Sequence, residues 1–209
     1  MKYTAVVIRI LFLALFTFLI LNGKMMLWLA LFAASLLAAL IFGRLFCGYV
    51  CPMNTLMIPT EGLSKKLGLQ TKKSPKWLHS GKFTWFALAG SVIVMLLTQK
   101  LLHKNIPIVL IWLVVSVLVT FRYKPAVFHN LICPFGALQK TFGKFAILSK
   151  KVDEKKCTGC RLCEETCPTG AIAVEKEGKI AAIQPFLCLQ CDNCQQVCPE
   201  GAISYLKIK

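Results

Sequence analysis

Residues 157–168 read CTGCRLCEETCP, and 31 positions later residues 188–199 read CLQCDNCQQVCP. Each is C-x2-C-x2-C-x3-C-P, and the match continues downstream, where CPTGAI at 167–172 recurs as CPEGAI at 198–203. Three cysteines separated by two residues suit a tight loop that wraps three corners of a metal cluster, with backbone N–H groups directed at the sulfurs. A fourth cysteine from the opposite run then closes the last corner and ties the two halves together. Structural zinc sites use two well-separated C-x2-C pairs instead. Disulfide frameworks belong to short secreted chains.

This spacing is the bacterial two-cluster ferredoxin pattern, in which the fourth cysteine of each run ligates the other cluster. The expected ligands of one 4Fe-4S cluster are Cys157, Cys160, Cys163 and Cys198, and those of the second are Cys188, Cys191, Cys194 and Cys167. Pro168 and Pro199 turn the chain away from each cluster. Residues 171–183 predict a strand, a turn at Glu177 and Gly178, and a second strand. A segment of about 60 residues buries little surface by itself. The clusters are therefore expected to hold this module folded, as a structural metal does.

The rest of the chain is of another kind. Hydrophobic residues make up 56% of the whole and charged ones 16%, against about 25% charged in ordinary soluble domains. A spanning helix needs about 20 mostly apolar residues. Four segments fit: Ala5–Asn22, Met25–Phe46, Phe83–Thr98 and Ile106–Phe121, the last two a little short. Trp28, Trp85 and Trp112 suit interfacial or lipid-facing positions, and Arg9 can snorkel to the headgroups. No small-x-small cleavage site follows the first segment, so it is expected to be a span rather than a signal peptide.

The formal net charge of +16 first suggests a nucleic-acid or anionic-membrane partner. Its distribution favours the membrane. Residues 1–149 contain one acid, Glu61, and the basic residues gather in the loop after the second segment and beyond the fourth. By the Lys/Arg rule both termini and the middle loop face the cytoplasm, and no nucleic acid is expected. Every cysteine then lies on the reducing side, where thiols remain available as metal ligands.

Three further cysteines lie beside the spans. Cys47 and Cys51 sit in GRLFCGYVCPMNTL, and Cys133 sits in FHNLICPFGAL. At an offset of 82 the two stretches align: Phe46 with Phe128, Cys51 with Cys133, Pro52 with Pro134, and Cys47 with His129. Residues i and i+4 share a helical face. Cys47 with Cys51, and His129 with Cys133, are thus two pincers that could close on one iron or iron–sulfur centre; redox-active or purely structural thiols are the alternative. Each motif is expected to end its helix before proline. Arg44 is expected against lipid phosphate, with the negative charge of such a centre as the second choice. His79 and His103 lack such a setting and are expected at the surface.

The combination of four spans, two C/H-x3-C-P motifs and a two-cluster module resembles the NapH/MauN-type membrane ferredoxins, with the membrane cores of the NosR and CcoG types as relatives. The resemblance covers nearly the whole chain. It implies electron transfer between a quinone pool and redox partners, as a subunit of a larger assembly. Position 129 departs from it, since the family has cysteine there. The flavin-bearing extracytoplasmic domain of the NosR type is not expected in 209 residues.

No G-x-G-x-x-G after a strand, P-loop, H-E-x-x-H or nucleophile elbow is present. The expectation is thus an integral-membrane all-α four-helix bundle over residues 1–149 and a small α+β two-cluster ferredoxin domain over 150–209. It would lie in the cytoplasmic membrane and relay electrons between the ferredoxin module and a quinone pool or membrane redox partner, as an electron-transfer subunit rather than a stand-alone enzyme. An accessory reductase that matures another metalloenzyme, or a redox sensor, would use the same residues.

Overall fold

The computed structural model describes residues 2–71, 75–102, 107–174 and 180–208. Lys72, Lys73, His103, Lys104 and the Glu177–Gly178 turn lie outside the described residues, as do the side chains of Lys76 and His79. In chain order the elements are α1 (Lys2–Leu21), α2 (Met25–Phe42), α3 (Pro52–Lys66), α4 (Lys82–Leu102), α5 (Ile108–Arg122), α6 (Pro125–Val127) and α7 (Pro134–Gly143). Then follow β1 (Leu148–Val152), α8 (Leu162–Glu165), β2 (Ile172–Val174), β3 (Ala181–Ile183), α9 (Asn193–Val197) and β4 (Ile203–Lys207). Five-residue π-helical turns occupy Phe46–Val50 and Phe128–Ile132.

Among the described residues three helices are long and apolar enough to cross a membrane: Tyr3–Leu21, Met25–Phe42 and Lys82–Leu101. The chain is a membrane protein. Leu11, Phe18, Leu37 and Phe86 on these helices are exposed, a surface that lipid covers and water does not. Where a fourth span was expected, the apolar helix Ile108–Arg122 has 15 residues and is shorter than these three, about 22 Å long at 1.5 Å per residue. The second span is shorter than expected and ends at Phe42 rather than Phe46. Gly43, at φ +71° and ψ −159°, takes a conformation open to glycine and closes α2.

The chain divides into two compact units, Met1–Cys51 with Gln139–Lys209, and Pro52–Leu138. In the first unit Phe16, Trp28, Phe32 and Phe46 pack edge to face or tilted, with ring centroids 5.0–6.2 Å apart. Trp28 is therefore a core residue, not the lipid-facing one expected from its place in an apolar run. A buried Gln139 donates to Ser35 Oγ on α2 at 2.8 Å. Tyr205 Oη donates to the Phe42 carbonyl at 2.9 Å, so β4 is fastened to the end of α2.

The cysteine-rich segment of that unit is two antiparallel ladders. Ile172 pairs with Ile183 in the expected hairpin, and Val152 pairs with Ile203 across β1 and β4. Their inward side chains, with Cys163, Ala181 and Cys194, form one small core. In the second unit Ser64 on α3 donates to the Phe121 carbonyl of α5 at 2.6 Å. Trp112 on α5 donates to Ser91 on α4 at 2.9 Å.

Candidate metal centres

The two cysteine runs fold alike. The residue before each short helix, Arg161 or Asp192, has positive φ (66° and 63°), as do the residues two earlier, Gly159 (69°) and Gln190 (59°). These left-handed turns curl each loop so that its cysteines face one point. Further on, Gly170 and Gly201 have φ near +60°. Only glycine adopts that conformation without strain, and it turns the next N–H back onto sulfur. Ala171 donates to Cys167 Sγ at 3.2 Å and Ala202 to Cys198 Sγ at 3.3 Å.

Among the described residues no three His, Cys, Asp or Glu side chains gather closely enough to hold a single ion. The eight cysteines surround cavities instead. One pocket is lined by Cys157, Cys160, Cys163 and Cys198, among others. Another is lined by Cys167, Cys188, Cys191 and Cys194, among others. Each pocket takes one of its four cysteines from the other run. Burial pushes the Cys188 and Cys194 thiols up to about 12. Such a pocket disfavours bare thiolates, so a cationic metal must replace the protons when the ligands ionise.

The two pockets differ in their surroundings. Cys160 is exposed at the first, whereas Cys188 and Cys194 are buried at the second. The loop of the second lies on the π-turn that carries Cys47. A Cβ on Gly48 would stand 2.2 Å from the Leu189 carbonyl oxygen, so only glycine permits this approach. Tyr49 donates to Asp192, whose carboxylate also pairs with Lys150. Burial, then the Asp192 carboxylate, pushes the Tyr49 phenol above its ordinary range. Gln190 is 1% exposed; it accepts from the Lys150 N–H at 3.2 Å and donates to Ser149 Oγ at 2.8 Å.

Two arginines belong to this seam rather than to lipid. Arg9 is buried and donates to the Gly48 carbonyl at 2.9 Å, its guanidinium over the Tyr49 ring. Arg44 is fully buried, with Nη1 toward the Leu187 carbonyl at 3.4 Å and Nη2 toward Cys47 Sγ at 3.8 Å. The expected lipid contacts of both are corrected. Each is turned inward by carbonyls of tight turns, acceptors that stronger helical bonding would have used up.

The two membrane motifs share one local structure. In each, five residues form a π-turn, closed by an N–H···O bond of 2.8 Å from Cys51 to Phe46 or from Cys133 to Phe128. Each second cysteine is extended (ψ 119° and 116°), and proline then starts the next helix. The expected helix end before proline is present, with a π-turn in place of an α-turn. Cys47 and Cys51 are buried in the first unit, and His129 and Cys133 in the second. The His129 Nε2 lies 3.2 Å from Asn54 Oδ1, and the Gly136 N–H donates to Cys133 Sγ at 3.3 Å. Asn54 and Gly48 went unnoticed in the sequence. The signal for Gly48 was its place directly after Cys47, where the other repeat has Asn130.

Paired cysteine-lined cavities in a doubled module, on a chain with membrane-length apolar helices, define a membrane iron–sulfur protein of the ferredoxin type. The model of a 4Fe-4S dicluster domain matches residues 156–202. That of a 4Fe-4S binding domain matches twice, at 24–70 and 105–153, so each match contains one C/H-x3-C-P motif.

The chain is 32% identical over 159 residues to an uncharacterised protein of Methanocaldococcus jannaschii, covering 74% of this chain and 63% of that protein. It is 30% identical over 152 residues to the ferredoxin-type protein NapH of Haemophilus influenzae (64% and 50%). It is 25% identical over 150 residues to the methylamine utilization ferredoxin-type protein MauN of Paracoccus denitrificans (65% and 52%). The aligned part thus spans about half to two thirds of these relatives. No solved structure matches at a significant level. The chain is thus similar to the ferredoxin-type proteins NapH and MauN and carries 4Fe-4S domain matches in both its halves.

Proposed function

We propose that this protein relays electrons between a cytoplasmic partner and a quinone pool or redox partner in the cytoplasmic membrane. Residues 1–149 would cross the membrane four times with both termini in the cytoplasm, and residues 150–209 would carry two 4Fe-4S clusters. Cys157, Cys160, Cys163 and Cys198 would hold the first cluster, and Cys188, Cys191, Cys194 and Cys167 the second. Cys47, Cys51, His129 and Cys133 would share a third iron or iron–sulfur centre. Bound in these pockets, a 4Fe-4S cluster supplies one-electron storage at a potential set by burial and hydrogen bonding.

The chain's own residues do the rest. Ala171 and Ala202 direct N–H groups at ligand sulfur and so favour its negative charge. The small apolar core keeps water from the module's centre. The observation that carries the reading is the seating of the Leu189 carbonyl on Gly48. It joins the second cysteine loop to the turn of the first membrane motif, a route for electrons between them. Names such as NapH and MauN among the relatives support the same reading.

The test uses anaerobically purified protein in lipid vesicles. Added quinol should bleach the iron–sulfur absorbance. Bleaching by dithionite but not by quinol would remove the quinone from the proposal. Iron and acid-labile sulfide counts with EPR separate two centres from three. His129→Cys should keep the iron and lower one midpoint potential, because a thiolate replaces a neutral imidazole.

A further inference from the structure

Arg44 is 0% exposed, yet among the described residues its guanidinium meets two acceptors, both at long range: the Leu187 carbonyl at 3.4 Å and Cys47 Sγ at 3.8 Å. Its Nε is buried with no partner among the described residues. The side chain passes so close to Gly143 that a Cβ there would stand 3.3 Å from Arg44 Cγ. It is therefore seated by packing and not swung in from solvent.

Among the described residues no carboxylate pairs with it. The ion pairs among the described residues join Lys65 to Glu61, Lys150 to Asp192 and Lys156 to Asp153. Glu61 is the one acid in residues 1–149. The charged groups beside it are cations as well: Lys140 is held below the ordinary lysine range by burial, then by the Arg44 guanidinium and by Lys144. A buried cation without a counter-charge is heavily penalised. Something anionic that the side chains do not supply must complete this place. The sulfur that Arg44 faces is Cys47, inside a segment matched by the 4Fe-4S binding domain.

We propose that Arg44 is the built-in counter-cation of an anionic iron–thiolate centre anchored on Cys47, a positioning residue that raises that centre's reduction potential. The proposal rests on the third centre of the reading above. Its electrostatic basis is simple. Reduction adds negative charge at the centre, and a fixed cation at hydrogen-bonding range in a dry site favours the reduced form. The orphaned Nε is a donor left for the same anion. Lipid phosphate is a poorer fit, because the group faces a protein thiol and has no exposed surface.

The experiment compares full-length wild type with Cys47→Ala, Arg44→Gln and Arg44→Lys, all isolated anaerobically. Iron and sulfide are counted and the centres titrated by EPR. Cys47→Ala should lose one signal and its iron while the two ferredoxin signals persist. Arg44→Gln should keep the iron and lower the midpoint of that Cys47-dependent signal. At fixed ambient potential its reduced-to-oxidised ratio should fall about tenfold, a shift of about 59 mV for one electron. Arg44→Lys, which keeps the charge, should stay near wild type.

A Cys47-dependent signal that titrates identically in both Arg44 variants overturns the role of Arg44 and leaves the third centre standing. Absence of any Cys47-dependent signal removes the third centre itself. Loss of bound phospholipid from Arg44→Gln with the potential unmoved would assign Arg44 to a headgroup and overturn the proposal. Should Arg44→Gln not accumulate, Arg44→Lys decides: retained iron at wild-type potential supports the counter-cation, and loss of the Cys47-dependent signal with the charge intact overturns it.

Discussion

The two cysteine runs share a spacing, a turn geometry and a pattern of N–H···S bonds, but not a neighbourhood. The first, 157–168, has Cys160 exposed and Gly159 at its left-handed turn. The second, 188–199, rests on the Cys47 π-turn, and Gln190 takes the left-handed place. Ligand geometry is therefore written in the cysteines, and it is equal in both runs. Orientation is written in the residues between them: Leu189, Gln190 and Asp192 seat one run against the membrane part, and Thr158, Gly159 and Arg161 do not. Repeat symmetry builds two pockets, and the breaking of that symmetry decides which one faces inward.

The largest effect that would test this contrast is removal of a ligand from each run. Cys188→Ala and Cys160→Ala should each reduce the module from about eight irons to about four. Each should cost more than about 5 kcal/mol, because structural metal sites carry about 10–16 kcal/mol of folding free energy. Cys188→Ala alone should also make residues 187–195 accessible to limited proteolysis. Equal cleavage in both variants would erase the distinction between the runs.

A smaller effect isolates the seam. In Gly48→Ala the new methyl group meets a backbone oxygen that cannot rotate away, so the loop must lift. Overpacking of this kind costs about 1–3 kcal/mol, and a backbone obstacle puts it at the upper end. Gly159→Ala in the first run should cost about 1–2 kcal/mol from left-handed strain. Anaerobic denaturant unfolding with tryptophan fluorescence measures both, and only Gly48→Ala should also alter any spin coupling between the second cluster and the third centre proposed above.

Asp192→Asn comes next. It leaves Lys150, 5% exposed, without its carboxylate partner and weakens the bond from Tyr49. Breaking a fully buried pair costs about 3–5 kcal/mol, but Asp192 is 28% exposed. Solvent screening reduces the expectation to about 1–2 kcal/mol. The matching position of the first run, Arg161, makes no such contact, and Arg161→Asn should change stability by less than about 0.5 kcal/mol. Comparable losses at both positions would show that Asp192 acts within its own loop and not on the seam.

What could be read in advance follows the range of the interactions. The likeness of the two cysteine loops was legible because their spacing repeats locally, and the β2–β3 pairing because its strands are close in sequence. The β1–β4 ladder was not, since Leu148 pairs with Lys207 far along the chain. Arg9, Arg44 and Trp28 were assigned to lipid because a charged or indole side chain beside an apolar run ordinarily goes there. Their real partners are carbonyls and rings brought in by the fold. The offset of 82 between the membrane motifs was visible, but the π-turn was not, because it adds one residue to a helical turn without a sequence mark of its own. Asn54 was missed because its relation to His129 exists only after α3 has folded beside the second motif.

The subtlest test lies at Gln190. Its φ of 59° carries a strain that glycine would relieve, worth about 1–2 kcal/mol. Against that stand two buried hydrogen bonds, to Ser149 Oγ and from the Lys150 N–H, each worth about 1 kcal/mol when made. Loss of the second also leaves a buried N–H unpaired, which costs about 1–3 kcal/mol. Gln190→Gly should therefore destabilise by about 1 kcal/mol despite the better backbone residue, the reverse of what the first run would suggest, where glycine already sits. Gln190 also fills the space beside Gly43, where a Cβ would stand 2.8 Å from its Nε2, so the variant loosens the contact with the end of α2. Unfolding under anaerobic conditions measures the net effect. A Gln190→Gly protein more stable than wild type would mean that this side chain is tolerated in its turn and does not anchor it.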